Sequence, residues 1–299
     1  SAHVGSCGRV VLIFRLSWAR MNSLDFDLET EWPELMKLLT PPQYFAIRRA
    51  IAAAWHEGWD PNLMDVELLV RYIRDEGELP LPAPIDGPET EYVFDTWDSY
   101  FQLGDLGLPV FINYYNETNP RLLQHKEFLA VCARSIELDL GLATIDPTFD
   151  AAHLQTIHYY LFGDVYPWAG RFRTVNMSKP GGVAFADCQN GEVERYLDDV
   201  HRIAVETPWY QLSGLQFVEK SAELFAYLNQ AHPFREGNGR AAKTFMCAVA
   251  AGSPYDFDFM RVNPMVWNQA SAGSSPEPFE YHPHPEALVP VFDAVTISR

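Results

Sequence analysis

One proline and two glycines within the seven residues 233–239, set between two apolar helical patterns, constrain this chain more than any other stretch. Phe217, Ser221, Leu224, Phe225 and Leu228 recur at three- and four-residue spacing, which predicts a helix over 217–230 with one apolar face. Pro233 cannot continue that helix. Gly237 and Gly239 flank Asn238 and free the backbone to take positive φ close to a ligand, and an Ala-rich helical pattern resumes from Arg240 to Ala251. The chain must therefore turn sharply after His232 and present the free N–H groups of a new helix at the end of the turn.

Such a helix start attracts phosphate, through its unpaired N–H groups and the positive end of the helix dipole. Arg240 and Lys243 add two cations one turn apart. Glu236 supplies a hard oxygen ligand beside this cradle, suited to a magnesium ion held jointly by one carboxylate and phosphate oxygens. His232 has an imidazole that can take a proton from a hydroxyl near neutral pH. Singly, each of these is an ordinary residue of a helix end or a turn, and a lone Gly-x-Gly is weak evidence. Their conjunction within twelve residues, 232–243, is the pattern of a phosphoryl- or nucleotidyl-transfer site.

The run His232-Pro233-Phe234-Arg235-Glu236-Gly237-Asn238-Gly239-Arg240 resembles the signature of Fic-domain proteins, departing only where Lys243 replaces the final Arg. The resemblance implies an all-α Fic fold with one small β-hairpin flap. It also implies transfer of AMP from ATP, with Mg2+, to a Ser, Thr or Tyr hydroxyl of a target protein or of the chain itself. On that resemblance His232 is the general base and Glu236 binds the metal, while Phe234, Gly237, Asn238, Gly239, Arg240 and Lys243 hold the nucleotide. Lysine keeps the charge at 243 but loses the two-pronged guanidinium. Tyr166-Pro167-Trp168-Ala169-Gly170 and the residues after it resemble the turn and flap over a Fic active site, with Phe172–Met177 expected as a strand and Val183–Phe185 as its return. In that reading Thr174, Val175, Asn176, Met177, Ser178 and Lys179 dock the target through its backbone. Trp267 to Ser271 is similar to the family's wall around adenine.

Upstream, the spacing of apolar residues predicts helices over 29–39, 43–56 and 66–73, with Gly58 as a left-handed cap. This unit resembles the small antitoxin that restrains one class of Fic toxins. Its inhibitory motif corresponds to Ala53-Ala54-Trp55-His56-Glu57-Gly58, with Ala53 where a hydroxyl residue is expected. The resemblance implies that Glu57 competes with phosphate for Arg240 and Lys243. The expected organisation is a leader over 1–20 foreign to the fold, with Met21 as the natural start, then an inhibitory unit over 21–80, a Pro-rich linker over 81–89 and a Fic domain over 90–299.

Composition narrows the partners. A net charge of −18 argues against a nucleic-acid surface, since phosphate backbones need a basic face. No apolar run is long enough to span a membrane. The 4 cysteines have no metal-like or paired spacing and read as thiols of a reducing, cytoplasmic compartment. Two alternatives stay open: a catalytically silent nucleotide-binding module, and a Fic enzyme that uses another phosphate-containing donor.

Overall fold

The computed structural model describes residues 26–82, 92–105, 107–178 and 184–299. The expected leader, most of the expected linker and flap residue Lys179 lie outside them. Two single turns, α1 (Leu28–Glu31) and α2 (Pro33–Met36), replace the one helix expected over 29–39. Pro33 is the reason, because it lacks the N–H that a continuing helix would use and instead opens a new one. The next helix, α3 (Pro41–His56), starts two residues before the expected Gln43. Pro41 and Pro42 fit its first turn, where no N–H is needed, and Thr40 with Gln43 closes it in a capping box. The same device, Asn62 with Asp65, starts α4 (Leu63–Ile73).

A short hairpin follows, β1 (Phe101–Leu103) against β2 (Pro109–Phe111), with Phe101 opposite Phe111. The helices α5 (Pro120–Asp139), α6 (Ala151–Phe162), α7 (Glu192–Glu206), α8 (Gly214–Ala231) and α9 (Asn238–Ala250) build the body. Beyond them, β3 (Tyr255–Phe257) pairs with β4 (Thr296–Ser298) across α10 (Pro264–Gly273) and α11 (Val289–Val295). The expected flap strand over 172–177 is absent; Ser178 and Ala184 form a single antiparallel bridge. Side chains make the local bonds instead: Arg173 Nη1 donates to Val175 O, Asn176 Nδ2 donates to Asp187 Oδ1 and Asn176 Oδ1 accepts from Cys188 N–H, each at 2.9 Å.

One hydrophobic core runs through the described residues, from Leu28 to Val295. At its centre α8 packs on α7, α9 and α11, while α6 packs on α9 and α3 packs along α5. Ile47, Ala50, Ile51 and Ala54 of α3 are buried in this same core, and each isoleucine contributes about 1.5–3 kcal/mol. Arg48 bonds Asp258 at 2.9 Å, and Arg49 bonds Asp139 at 2.9 Å and Asp256 at 2.8 Å. These pairs pin α3 against the end of α5 and the C-terminal part of the chain, and the residue after its end, Glu57, reaches the start of α9.

Candidate active site

The helix α8 ends at Ala231, and His232 takes a left-handed conformation, φ 39° and ψ 56°, rare for a residue with a Cβ. Arg173, buried, holds it there. Its Nε donates to His232 O at 2.8 Å and its backbone N–H to Pro233 O at 2.8 Å, while Nη2 donates to Ala186 O. The imidazole of His232 stacks face to face on Phe185, ring centroids 3.6 Å apart and planes 14° apart.

From His232 the loop is braced on every side. Asn238 turns its amide back into it, Nδ2 donating to Phe234 O and Oδ1 accepting from Phe234 N–H, both at 2.8 Å. Phe234 is fully buried and stacks on His158 at 3.8 Å. His158 Nδ1 accepts from Gly170 N–H and its Nε2 donates to Glu236 O, each at 2.9 Å. That pattern requires the neutral ring, and burial pushes its pKa down to about 3. Arg235 lies over Trp97 at 3.7 Å, with Phe101, Phe111 and Tyr100 around it. At Gly237, φ is +81° and a Cβ would fall 2.3 Å from Phe162, so both backbone and space demand glycine.

Gly237 is also the N-cap of α9 and offers no side chain to its first N–H groups, unlike the Thr, Asn, Asp and Ser caps of α3, α4, α5, α6, α8 and α10. The donors of Asn238, Gly239 and Arg240 are left for an anion. Arg240 is buried against Glu127, with Glu236 at 3.8 Å and the rings of Phe162 and Phe128 at 4.7 and 4.9 Å. Burial opposes its charge, but the carboxylates of Glu127, Glu57 and Glu236 outweigh it and raise its pKa. The side chain of Lys243 is 2% exposed, 4.8 Å above Trp267, and among the described residues its Nζ has no hydrogen-bond partner. Burial pushes this ammonium down to about 8, with Glu57 pulling the other way. Enclosure in the cleft and the nearby Glu127 raise the pKa of Glu236, which Arg240 lowers.

A cavity of about 460 Å3 opens beside this turn, and its wall includes Glu57, Phe185, His232, Phe234, Asn238, Gly239, Trp267, Asn268 and Ser271. Glu57 itself sits at the exposed C-cap of α3, followed by Gly58 at φ +96°, while its carboxylate reaches inward. A Cβ on Gly239 would fall 1.8 Å from Glu57 Oε1, so the carboxylate occupies the space directly over the start of α9. Ala53 lies one turn deeper, beside Arg240 and Thr244. Among the described residues no cluster of three His, Cys, Asp or Glu side chains could hold a metal ion. Glu236, with a side chain 39% exposed, fits a divalent ion only as one ligand alongside phosphate oxygens. Of the flap residues expected to dock a target, Thr174 is anchored through Oγ1 on Phe94 O at 2.7 Å, and none of those described lines the cavity.

The sequence alone assigns no role in the site to Arg173, Phe185 or Glu127, and on it His158 reads as a structural or surface group. His158 proves buried and braces the loop. A charged residue among buried apolar positions was the available signal for Glu127; contacts across 59 residues, as between Arg173 and His232, leave none.

A helix start with bare N–H groups shares one cleft with a histidine, and the same helix buries two cations; this arrangement, on a mainly helical frame, suits an anion such as phosphate. Residues 148–250 match the family described as Fic/DOC. Over 153 residues the chain is 35% identical to the protein adenylyltransferase VbhT of Bartonella schoenbuchensis, an overlap of 51% of this chain and 31% of that protein. With the probable protein adenylyltransferase Fic of Escherichia coli K12 it shares 28% identity over 168 residues, 55% of this chain and 80% of the other. The N-terminal Fic domain of a VirB-translocated Bep effector from Bartonella quintana, solved with bound ADP, matches with a TM-score of 0.55 and 25% identity, covering 66% of this chain and 95% of that one. The chain carries a Fic domain. It spans about a third of the Bartonella schoenbuchensis relative.

Proposed function

We propose that this chain transfers AMP from ATP to a hydroxyl side chain of a protein, and that Glu57 restrains it. The observation that carries this reading is the shared cavity, in which His232 faces the bare N-terminus of α9 and the Glu57 carboxylate stands over Gly239. Relatives named as protein adenylyltransferases and a Fic domain with bound ADP support the nucleotide and the reaction class.

In the reaction His232 accepts the proton of a Ser, Thr or Tyr hydroxyl as its oxygen bonds to the α-phosphorus. The bond between α- and β-phosphates breaks and pyrophosphate leaves. The N–H groups of Asn238, Gly239 and Arg240 and the guanidinium of Arg240 stabilise the charge that develops on phosphate. Glu127 keeps that guanidinium fixed. A magnesium ion, held by Glu236 and phosphate oxygens, would neutralise the leaving group's charge. The base in the left-handed turn and the loop amides are prealigned before substrate arrives. The flap residues from Thr174 onward pair with the target's backbone, so shape and main-chain bonding select the segment, and the chain itself is a second acceptor.

The carboxylate of Glu57 competes with terminal phosphate for Arg240 and Lys243, and in that place it holds ATP out of line. The N-terminal unit, α1 to α4, is thus the brake on the domain that follows. A second reading, nucleotide binding without turnover, is favoured by one observation: Glu127 already neutralises Arg240, and lysine at 243 cannot grip a phosphate with two prongs. Labelled-AMP transfer by wild type, Glu57→Gly, and Glu57→Gly with His232→Ala decides between them. Faint label in wild type, strong label in Glu57→Gly and none with His232→Ala added support the restrained transferase; ATP binding with no label in any variant supports the silent module.

A further inference from the structure

Resting on the transferase reading, we infer that Phe185 is a positioning residue for His232, fixing the imidazole plane and stabilising the imidazolium formed when the base accepts its proton. The stack is tight, at 3.6 Å and 14°, and Phe185 is buried on the return limb of the flap. Its backbone N–H donates to Met177 O at 3.1 Å, and the next residue, Ala186, donates to Gln230 O at 3.0 Å. Gln230 Nε2 returns a bond to Ala184 O at 3.0 Å. Arg173 then takes the carbonyls of both His232 and Ala186, so one guanidinium holds the two backbones that carry the stacked rings.

The physical consequence has two parts. A flat ring against its face opposes rotation of the imidazole about its Cβ–Cγ bond, which holds the plane of the ring fixed beside the cavity that Phe185 and His232 both line. The π-face is negative and attracts a cation more than a neutral ring. Proton acceptance makes His232 a cation in the transition state, so the stack acts on the chemical step more than on nucleotide binding. Because Phe185 is bonded to Met177 O, a target strand seated on the flap also braces the ring beneath the base.

The test uses the full chain in the Glu57→Gly background. Phe185→Leu keeps apolar volume without the π-face, and is expected to lower kcat roughly tenfold while the KM for ATP stays within about twofold. Phe185→Tyr and Phe185→Trp restore most of kcat. Independently of turnover, proton–carbon NMR of ring-labelled histidine should place the His232 signal upfield through the Phe185 ring current, the signal being identified by its loss in His232→Ala. It returns to the ordinary range in Phe185→Leu and stays upfield in Phe185→Tyr. An ordinary shift in the parent, or full kcat in Phe185→Leu, overturns the inference. An upfield signal with no transfer in any variant overturns the transferase reading, and with it any role of the stack in catalysis.

Discussion

The loop over 232–240 and the flap that faces it are built on opposite principles. Nearly every group of the loop is held twice: Asn238 braces Phe234, His158 holds Glu236 O, aromatic rings enclose Arg235, and Phe162 fills the space that a larger residue at 237 would need. Among the described residues the two limbs of the flap meet through few bonds, the Ser178–Ala184 bridge, Phe185 N–H on Met177 O and Asn176 on Asp187, and its root is tied down by Arg173 and Thr174. Phosphate chemistry needs donors fixed before substrate arrives, whereas recognition of a target by its backbone needs an edge left unpaired. The difference teaches where variation is tolerated: substitutions at the braced positions 234 to 238 disturb fold and chemistry together, those at His232 act on chemistry alone, and those in the flap act on the target.

The largest expected effect is at the base. His232→Ala lowers transfer by about 10^2 to 10^4-fold, read in a labelled-AMP assay, while the circular dichroism spectrum stays that of wild type. Gly237→Ala sharpens the contrast, since it forces a Cβ into Phe162 at positive φ, and a loss of about 3 kcal/mol is expected in denaturant unfolding. A flap substitution that costs as much would erase the distinction.

The next effect depends on pH. His158 is neutral in the fold, with a pKa near 3, against an ordinary value of 6.5 when unfolded. The unfolded chain therefore binds the extra proton first as pH falls, so the stability tied to this ring is complete above 6.5 and drains away toward 3. Between pH 7 and pH 5 the urea midpoint of wild type should fall by more than that of His158→Gln, a differential of about 2 kcal/mol. Parallel curves would mean that the ring is not holding Glu236 O. The smallest effect is expected at Asn176→Ala, which loses the bond to Asp187 at the edge of the flap. Its unfolding free energy should change by about 1 kcal/mol or less, with nucleotide affinity unchanged in titration calorimetry.

Much of the loop was legible in the sequence because its demands are local. Pro233 must end α8, Gly237 must take positive φ, and the amphipathic spacing on both sides fixes the two helices. The end of α3 at Glu57 and Gly58 was legible for the same reason. What escaped was long-range or cooperative. Pro33 was read through as part of a helix that it divides. The strand expected at 172–177 gave way to side-chain bonds, Arg173 on Val175 O and Asn176 on Asp187 and Cys188 N–H, which alternation of side chains does not reveal. Glu127 on Arg240, and Phe185 on His232, join positions 113 and 47 residues apart and carry no periodic signature.

The central claim is that one cleft both performs adenylyl transfer and is closed by Glu57, and transfer of labelled AMP from ATP to a lysate and to the chain itself tests it directly. The account predicts faint label with wild type, strong label with Glu57→Gly, and none when His232→Ala is added. Equal label in wild type and Glu57→Gly would contradict the brake, and label that survives His232→Ala would contradict the base.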